Sequence, residues 1–303
     1  MTTLFTSTLI SSSFLSGYDT HFQDLVSTWI MIMAIVALTC FIVSEITRNY
    51  SQVDKLWSLM PIVYSWITFT AYPSLRLLIM SSLVTLWGLR LSYNFYRKGG
   101  YSLIPWKGAE DYRWKVMRER PELKGRIRFS LFNLSFISFY QNILIFLFSS
   151  PLLLAALATD KTLTVTDIFA AILMLGFIIT ESIADNQLYR FHLEKSKSHN
   201  EEPLFTESLQ EGFMTEGLWS QMRHPNFASE QAIWISFYLF GVAASGRLVN
   251  VTLSGPILLV LLFFGSTQLT ESISNEKYPD YAAYQKEVPK FIPRIFRRYK
   301  IKR

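Results

Sequence analysis

The sequence predicts an all-α fold, a polytopic membrane bundle of about seven transmembrane helices. Three observations lead to this prediction. Half of the 303 residues are hydrophobic and only 17% are charged, whereas about 25% of the residues of an ordinary soluble domain are charged. The apolar residues come in long uncharged runs, and the basic residues collect between alternate runs. Lipid is therefore the expected solvent for much of the chain.

Uncharged runs of about 18 or more residues are long enough to cross the hydrocarbon core as a helix. Five runs approach or exceed this length: residues 25–44, 56–75, 130–159, 231–246 and 248–270. Two shorter runs, 77–89 and 168–180, end at Arg90 and Glu181. Each of these two would span only if its last turns carry their polar groups towards the interface or the bundle interior.

Lys and Arg are distributed unevenly between the two sets of loops that seven spans would create. Only three of the 29 basic residues, Arg76, Lys161 and Arg247, fall in one set. Short loops rich in Lys and Arg are retained in the cytoplasm. The N-terminus is therefore expected outside or in a lumen and the C-terminus in the cytosol. The membrane would be the endoplasmic reticulum in a eukaryote and the inner membrane in a bacterium.

The chain is expected to form one transmembrane domain, residues 25–293, between an N-terminal segment, residues 1–24, and a basic cytosolic tail, residues 294–303. The N-terminal segment lacks the basic region that begins a signal peptide, so it is expected to be retained. Cys40 is the single cysteine, which excludes an intramolecular disulfide. The four histidines show no ligand spacing, and no metal site is expected.

The first sizeable cytosolic loop, residues 97–128, contains ten basic and four acidic residues. Juxtamembrane Lys and Arg attract anionic lipid headgroups, so membrane lipids are expected partners of this loop. The same charges could equally bind phosphates. Nucleic acid is not expected as a partner, since the basic residues are juxtamembrane and no recognition motif accompanies them.

Four polar clusters are expected on the cytosolic face, and the first lies just before the second apolar run. Asp54 and Trp57 fall near one face of a helix there, because residues three apart are neighbours on a helix surface. The acid could belong to a reaction site. Alternatively, it is only a first-turn residue that the helix macrodipole favours.

The second cluster follows one stripe of a helix, on which Arg90, Tyr93, Asn94 and Arg97 recur at helical spacing. Guanidinium groups in such a stripe can bind a phosphate or a carboxylate. Tyr101 comes shortly after the stripe, beyond a Gly-Gly pair. The alternative is that the arginines only extend towards the lipid headgroups.

The third cluster contains Glu181 and Asp185, one helical turn apart at the end of a short apolar run. Ionisable groups at membrane depth are costly, and their presence there indicates a function. If the helix instead extends into the cytosol, both residues are surface charges.

The fourth cluster, an Arg223-His224-Pro-Asn226 stretch followed by Glu230, is the most specific. The proline favours a helix start, so Arg223 and His224 would lie beside a helix N-terminus, where anions bind readily. Glu230 could accept hydrogen bonds from an amide, a ribose or an amine. A purely structural turn is the alternative.

Residues 217–230, the hydrophobic hairpin that follows and the Tyr281-x-x-Tyr284 to Pro293 ending together resemble the C-terminal half of the steroid 5α-reductase superfamily. The pattern is also similar to isoprenylcysteine carboxyl methyltransferases and sterol C14 reductases. Residues 49–57 and 87–97 more specifically resemble the DUF1295 branch of that superfamily. The resemblance covers nearly the whole chain after about residue 40, and it implies a helix bundle with a cofactor pocket open to the cytosol.

The reductases of this superfamily use NADPH and the methyltransferases use S-adenosylmethionine. By resemblance, Asp185, Asn226 and Glu230 match reductase cofactor contacts, whereas Arg223, His224 and Glu230 also suit the methyltransferase pattern, so the motif does not choose the cofactor. The candidate cofactor-binding residues are Arg90, Arg97, Tyr101, Asp185, Arg223, His224, Asn226, Glu230 and Tyr281.

One position departs from the reductase pattern. The tyrosine thought to donate a proton in steroid 5α-reductases falls on Trp87 when the arginine after the third apolar run is aligned to Arg90. An indole cannot usefully donate that proton, so another acid or different chemistry is needed. Asp54 and Tyr93 are the candidate catalytic residues.

These features predict an NADPH-dependent reductase of a C=C bond conjugated to a carbonyl in a lipid or steroid-like substrate. NADPH is strongly anionic, and the excess of Arg and Lys favours it over S-adenosylmethionine, which is cationic at sulfur. The alternatives are an S-adenosylmethionine-dependent methyltransferase of a prenylated or lipid substrate and a non-catalytic membrane protein of the same fold. A transporter is less expected, because transport sites lie near the bilayer midplane.

Overall fold

A computed structural model describes residues 17–102, 104, 108–196, 203–294 and 299, and every regular element in those residues is a helix. The expected N-terminal segment 1–24 lies outside the described residues as far as residue 16. The expected basic tail 294–303 lies outside them except for residues 294 and 299.

The described residues form thirteen α-helices. They are α1 Thr20–Thr47, α2 Gln52–Leu56, α3 Met60–Ala71, α4 Leu75–Arg97, α5 Tyr112–Glu119, α6 Arg126–Phe132, α7 Gln141–Ser149, α8 Pro151–Leu157, α9 Val165–Ser196, α10 Thr206–Glu211, α11 Pro225–Ser245, α12 Ser254–Lys277 and α13 Tyr281–Glu287. A π-helix, Asn133–Tyr140, joins α6 to α7, and 3-10 turns at Gly217–Ser220 and Val251–Leu253 precede α11 and α12.

Five helical segments of the described chain are long and apolar enough to cross a membrane: Thr20–Thr47, Leu75–Arg97, Arg126–Leu157, Val165–Ser196 and Val251–Lys277. Helices suit this solvent because they satisfy their backbone N–H and C=O groups internally, where lipid offers no partner. The predicted all-α polytopic membrane bundle is confirmed. Both short apolar runs lie inside long helices, which continue past Arg90 and Glu181.

Two of the seven expected spans are not among these five. The run 56–75 is broken, since α2 ends at Leu56 and α3 has only 12 residues, a length of about 18 Å at 1.5 Å per residue. α11 has 21 residues and is long enough to cross, but it carries Glu230 and Gln231 in its second turn. By length and composition the described helices supply five spans, and the count of seven stays a prediction.

Contacts divide the chain into two compact units. The first combines Met1–Ala171 with Phe237–Pro256, and the second combines Ile172–Ser236 with Ile257–Arg303. The first two polar clusters lie in the first unit, and the last two lie in the second unit.

α3 and α4 form a helical hairpin in the first unit. Trp66 Nε1 donates a hydrogen bond to Thr85 Oγ1 at 3.0 Å across it. A methyl group at Gly88 would lie 2.6 Å from the Ser58 carbonyl oxygen, so a residue without Cβ is required for this close approach. The neighbouring Trp87 is 0% exposed, which is consistent with a packing role for that indole.

The π-helix Asn133–Tyr140 lies within the span Arg126–Leu157. Asn133 is 0% exposed, and its Nδ2 donates to Glu45 Oε1 of α1 at 3.0 Å. Asn142, just beyond the π-helix, donates from Nδ2 to the Ser138 carbonyl at 2.7 Å. Polar side chains inside a span need such partners, because lipid offers none.

A buried ion pair joins the first turn of α4 to the start of α9. Arg76 Nε and Nη2 lie 2.8 and 2.9 Å from the two carboxylate oxygens of Asp167, and the side chains are 2% and 1% exposed. Arg76 Nη2 also donates to the Thr162 carbonyl at 2.8 Å. Asp167 Oδ2 accepts from the backbone N–H and hydroxyl of Thr164 at 2.8 and 2.9 Å. Arg76 thus fixes the loop before α9, a role that the charge pattern alone did not indicate.

Candidate active site

Asp54 lies in α2, the short helix between α1 and α3. Its carboxyl Oδ2 accepts a hydrogen bond from Trp114 Nε1 at 2.9 Å. Trp114 is carried by α5 in the basic loop and is 7% exposed, while Asp54 is half-buried. The fold therefore brings an indole N–H from a distant helix onto this carboxyl.

The loop before α5 is held against α2 by hydrogen bonds that position the acid. They run from Asn49 Nδ2 to the Gly108 carbonyl at 2.7 Å, from Tyr50 N to Glu110 Oε1 at 2.9 Å, from Asp111 N to Ser51 Oγ at 2.9 Å and from Tyr101 Oη to the Lys55 carbonyl at 2.6 Å. Tyr101, a candidate cofactor-binding residue, thus uses its hydroxyl to anchor the loop.

The two carboxyl groups of this cluster have opposite electrostatic surroundings. Burial raises the pKa of Asp54, and the neighbouring Asp111 raises it further, against the opposing effect of Arg113. Burial alone would also raise the pKa of Asp111, but Arg113, whose Nη2 lies 2.8 Å from Asp111 Oδ2, lowers it. Asp111 is thereby held ionised, whereas Asp54 is shifted towards its neutral form, which can donate a proton.

We expect Asp54→Asn to gain stability relative to the wild type as the pH rises. The folded-state pKa of Asp54 lies above its ordinary value of 3.8. The carboxyl therefore contributes fully to stability at acidic pH and loses that contribution as the pH rises through the folded-state pKa. Asparagine does not titrate and can still accept from Trp114. The gain should reach up to about 1.4 kcal/mol per pH unit.

Unfolding of the two proteins measured side by side between about pH 4 and about pH 8 checks this expectation. An equal change at the exposed Asp24, Asp24→Asn, is the control for the loss of a surface carboxylate. A stability difference between wild type and Asp54→Asn that does not vary with pH would contradict a raised pKa.

Tyr93, the other candidate catalytic residue, is not brought to Asp54. It is 62% exposed on α4, with its ring 5.7 Å from the Arg97 guanidinium carbon. In the described residues it takes part in no hydrogen bond. Its outward orientation follows from helical periodicity, because α4 turns Trp87 and Asn94 inward and thereby places Tyr93 on the opposite surface.

The arginines of the predicted stripe on α4 are partly buried. Arg97 is half-buried, and its Nε donates to Asn94 Oδ1 at 3.0 Å. Arg90 is also half-buried, and its Nε and Nη2 atoms are inaccessible to water. Neither guanidinium simply extends into the headgroup layer, so the snorkelling alternative accounts poorly for Arg90.

In the second unit Asp185 of α9 and Asn226 of α11 lie in contact. Asn226 Nδ2 donates to Asp185 Oδ1 at a long 3.4 Å, and Asp185 and Glu181 are 3% and 4% exposed. The reading of these acids as surface charges is therefore wrong, although α9 does continue to Ser196. The Asn226 amide oxygen is buried and has no hydrogen-bond donor among the described residues.

Glu230, one turn along α11 from Asn226, is 4% exposed. Its Oε1 accepts a hydrogen bond from Trp234 Nε1 at 3.1 Å. The carboxylate and the orphaned Asn226 oxygen are both acceptors. Because buried polar atoms of native proteins are normally paired, this part of the second unit suits a ligand that presents N–H or O–H donors.

Arg223 and His224 do not lie open to an anion. Arg223 Nε and His224 Nε2 lie 2.7 and 2.8 Å from Glu271 Oε1, and both residues are buried. Arg223 Nη1 also donates to the carbonyls of Gln285 and Val288. Glu271 of α12 thus neutralises Arg223, and the two residues hold the chain after α13. Their role as cofactor-binding residues stays a prediction.

Backbone hydrogen bonds complete this fastening. Arg223 N donates to the Pro289 carbonyl at 2.9 Å, and His224 N donates to the Lys290 carbonyl at 3.2 Å. Burial lowers the pKa of His224 despite its contact with Glu271. Arg223 and His224 thus hold the chain after α13 in place, which agrees with the structural alternative. The amide oxygen of Asn226, which follows them, has no hydrogen-bond donor among the described residues.

Glu271→Gln is expected to lower the free energy of unfolding by about 3–5 kcal/mol, because it leaves the buried Arg223 charge without its counter-charge. The matched control is Glu276→Gln, an exposed position on the same helix, which should change stability by less than about 0.5 kcal/mol. Thermal unfolding of the detergent-purified proteins compares them. Equal melting temperatures for the two variants would contradict the inference that the Arg223–Glu271 ion pair stabilises the fold.

Tyr281, the last candidate cofactor-binding residue, is part of an aromatic cluster in the second unit. Its ring lies 5.0 Å from that of Phe213 and 5.7 Å from that of Tyr284, and it is 5% exposed. The cluster also contains Val288. Tyr281 therefore packs α13 against the segment before the Gly217–Ser220 turn, which is a structural role.

Comparison with known proteins places the chain in a family. The family model described as a protein of unknown function, DUF1295, matches residues 40–288. The chain belongs to the DUF1295 family. A Schizosaccharomyces pombe protein described as uncharacterized is 40% identical over 266 residues, which cover 84% of this chain and 75% of that protein. No solved structure matches the chain.

Membership of DUF1295 confirms the resemblance seen at residues 49–57 and 87–97. The matched region contains both the Asp54 cluster and the Asn226 cluster. Neither the family description nor the relative's name states an activity.

One residue of each unit was missed from sequence. Trp114 was overlooked because it stands in a loop that was interpreted only through its charge, yet an indole N–H in a polar segment normally needs a buried partner. Glu271, which directly follows the run 248–270, was not singled out. An acid at that depth is itself a signal, since it requires a basic partner.

Proposed function

We propose that this protein is a membrane-embedded, NADPH-dependent reductase of a C=C bond conjugated to a carbonyl in a lipid-soluble substrate. The observation that carries the proposal is the Asp54 carboxyl, which is half-buried, receives an indole N–H at 2.9 Å and is shifted towards its neutral form. It replaces the acid that the reductase pattern lacks at Trp87.

A neutral acid favours reduction over methyl transfer. Reduction of a conjugated C=C bond adds a hydride at the β-carbon and a proton at the α-carbon or the carbonyl oxygen, so it needs a proton donor. Transfer of a methyl group from a sulfonium to a nucleophile consumes no proton, and there a neutral carboxyl has no role. Asp54 is therefore the group that distinguishes the two chemistries.

The acceptors of the second unit suit the donors of the cofactor. NADPH presents a carboxamide N–H2 group and ribose hydroxyls, and such donors would satisfy the buried Asn226 oxygen. Asp185 and Glu230 lie beside it and are 3% and 4% exposed. When bound, NADPH would supply the hydride.

The residues around Asp54 position its carboxyl for proton transfer. Trp114 holds the Asp54 carboxyl in one orientation, and the hydrogen-bonded loop keeps α5 on α2. Asp54 would give its proton to the substrate as the C=C bond is reduced and would recover one from water. Charge that develops on the substrate carbonyl would thus be neutralised by a preorganised acid.

Ligand-dependent thermal stability of the detergent-purified protein tests the proposal. A ligand bound only by the folded state at about 100 times its Kd stabilises by about 2.7 kcal/mol, so NADPH should raise the melting temperature by several degrees. Asn226→Ala should abolish the increase. Asn275→Ala, which removes an exposed amide in the same unit, should retain it.

Either of two results would overturn the proposal. An increase with S-adenosylmethionine and none with NADPH would assign the site to methyl transfer. No increase with NADPH, NADH or S-adenosylmethionine, for a protein that unfolds cooperatively, would assign the chain a non-catalytic role.

A further inference from the structure

Five basic residues around α5 and the start of α6 are exposed. We name these side chains the basic collar; they are Lys115, Arg120, Lys124, Arg126 and Arg128. The described residues give none of them a side-chain hydrogen bond or an ion pair. Two acids of the same stretch, Glu119 and Glu122, are also exposed, so the collar keeps a positive balance.

The other arginines of α5 are already neutralised. Arg113 Nη2 lies 2.8 Å from Asp111 Oδ2, and Arg118 Nη2 lies 2.5 Å from Glu110 Oε2. The structure thus separates the loop's charges into a pair that stabilises the site around Asp54 and a collar that points outward. This division was not visible in the sequence, where all of them count equally.

The collar lies at the edge of the membrane. α6 begins the span Arg126–Leu157, and its apolar residues Ile127 and Leu131 are 77% and 60% exposed. Large apolar side chains this exposed on a spanning helix face lipid tails. Arg126 and Arg128 are within one turn of them and can keep their charged ends at headgroup level.

We propose that the basic collar binds the anionic headgroups of phospholipids in the leaflet on its own side of the membrane. Five exposed cations beside a spanning helix complement the negative charge of phosphate-bearing headgroups, each cation contributing roughly a fivefold gain in affinity. A lipid is the occupant that the surface fits, because the same short stretch presents apolar groups to the tails and cations to the headgroup. The inference is independent of the proposed reductase activity.

The test uses the full-length protein in neutral detergent and two fluorescently labelled short-chain lipids, phosphatidylserine and phosphatidylcholine. The wild type should bind phosphatidylserine more tightly, with an affinity that falls as salt is added. Arg126→Gln combined with Arg128→Gln should weaken phosphatidylserine binding at least tenfold and leave phosphatidylcholine binding unchanged.

The matched control carries the same loss of charge on the opposite side of the membrane. Lys161 lies just beyond Leu157, at the other end of the same span, and Arg247 is likewise exposed in the first unit. Lys161→Gln combined with Arg247→Gln should bind phosphatidylserine as the wild type does. An equal loss in both variants would overturn the proposal, because it would assign the effect to net charge.

A second collar variant tests whether a folding defect, rather than the loss of charge, weakens lipid binding. Lys115→Gln combined with Lys124→Gln changes residues that precede the span, so it does not disturb the first turn of α6. It should weaken phosphatidylserine binding to a similar degree while its melting temperature stays that of the wild type. Equal affinities of the wild type for phosphatidylserine and phosphatidylcholine would overturn the proposal outright.

Discussion

Replacing Asp54 with asparagine is expected to slow the reduction of an enone substrate by about 10²–10⁴-fold, while the affinity for NADPH stays unchanged. The substitution keeps the shape of the side chain and its acceptor for Trp114 Nε1, 2.9 Å away in the wild type. It removes only the transferable proton. Single-turnover oxidation of NADPH at saturating substrate measures this step directly.

The control for this experiment is Asp24→Asn, which changes an exposed carboxylate at the start of α1. Its rate should equal that of the wild type. An Asp54→Asn protein that reduces the substrate at the wild-type rate would remove Asp54 from the mechanism, and retained NADPH binding in the same protein would leave the cofactor assignment intact.

Trp114→Phe should act through Asp54. The indole N–H lowers the pKa of the carboxyl that accepts it, so its loss should raise that pKa further. A reaction that needs protonated Asp54 loses rate as the pH rises through this pKa, and the fall should therefore move to higher pH in the variant. A reduced rate with an unmoved pH profile would show that Trp114 serves packing alone.

Arg76→Ala is expected to lower the free energy of unfolding by about 3–5 kcal/mol. The substitution leaves the carboxylate of Asp167 buried, with a 1% exposed side chain and no counter-charge. It also removes the donors to the carbonyls of Thr162 and Asp160. Thermal and denaturant unfolding of the purified protein would show the loss.

Two further variants identify the cause of that loss. Arg247→Ala removes an exposed arginine of the same unit and should change stability by less than about 0.5 kcal/mol. Arg76→Met combined with Asp167→Leu replaces the buried pair by apolar groups and should recover most of the stability, because the cost comes from the unpaired charge. A double variant as unstable as Arg76→Ala would contradict this explanation.

Several local features of this protein were predictable from sequence. The apolar runs indicated the long helices, and Pro225 indicated the start of α11. The resemblance singled out Asp185 and Asn226 separately, and only the structure shows that they are hydrogen-bonded. The break between α2 and α3 was not predicted, because hydropathy averages over the turn at Trp57–Leu59.

The sequence by itself determined that the chain is a helical membrane protein of the DUF1295 family. It did so because hydropathy and helix formation are local: in lipid each helix satisfies its own backbone. Only the tertiary structure decided that Trp114 donates a hydrogen bond to Asp54, that Glu271 neutralises Arg223 and that Arg76 pairs with Asp167. These partners lie 60, 48 and 91 residues apart in the chain, and which side chains meet over such separations depends on the packing of helix faces that no local pattern records.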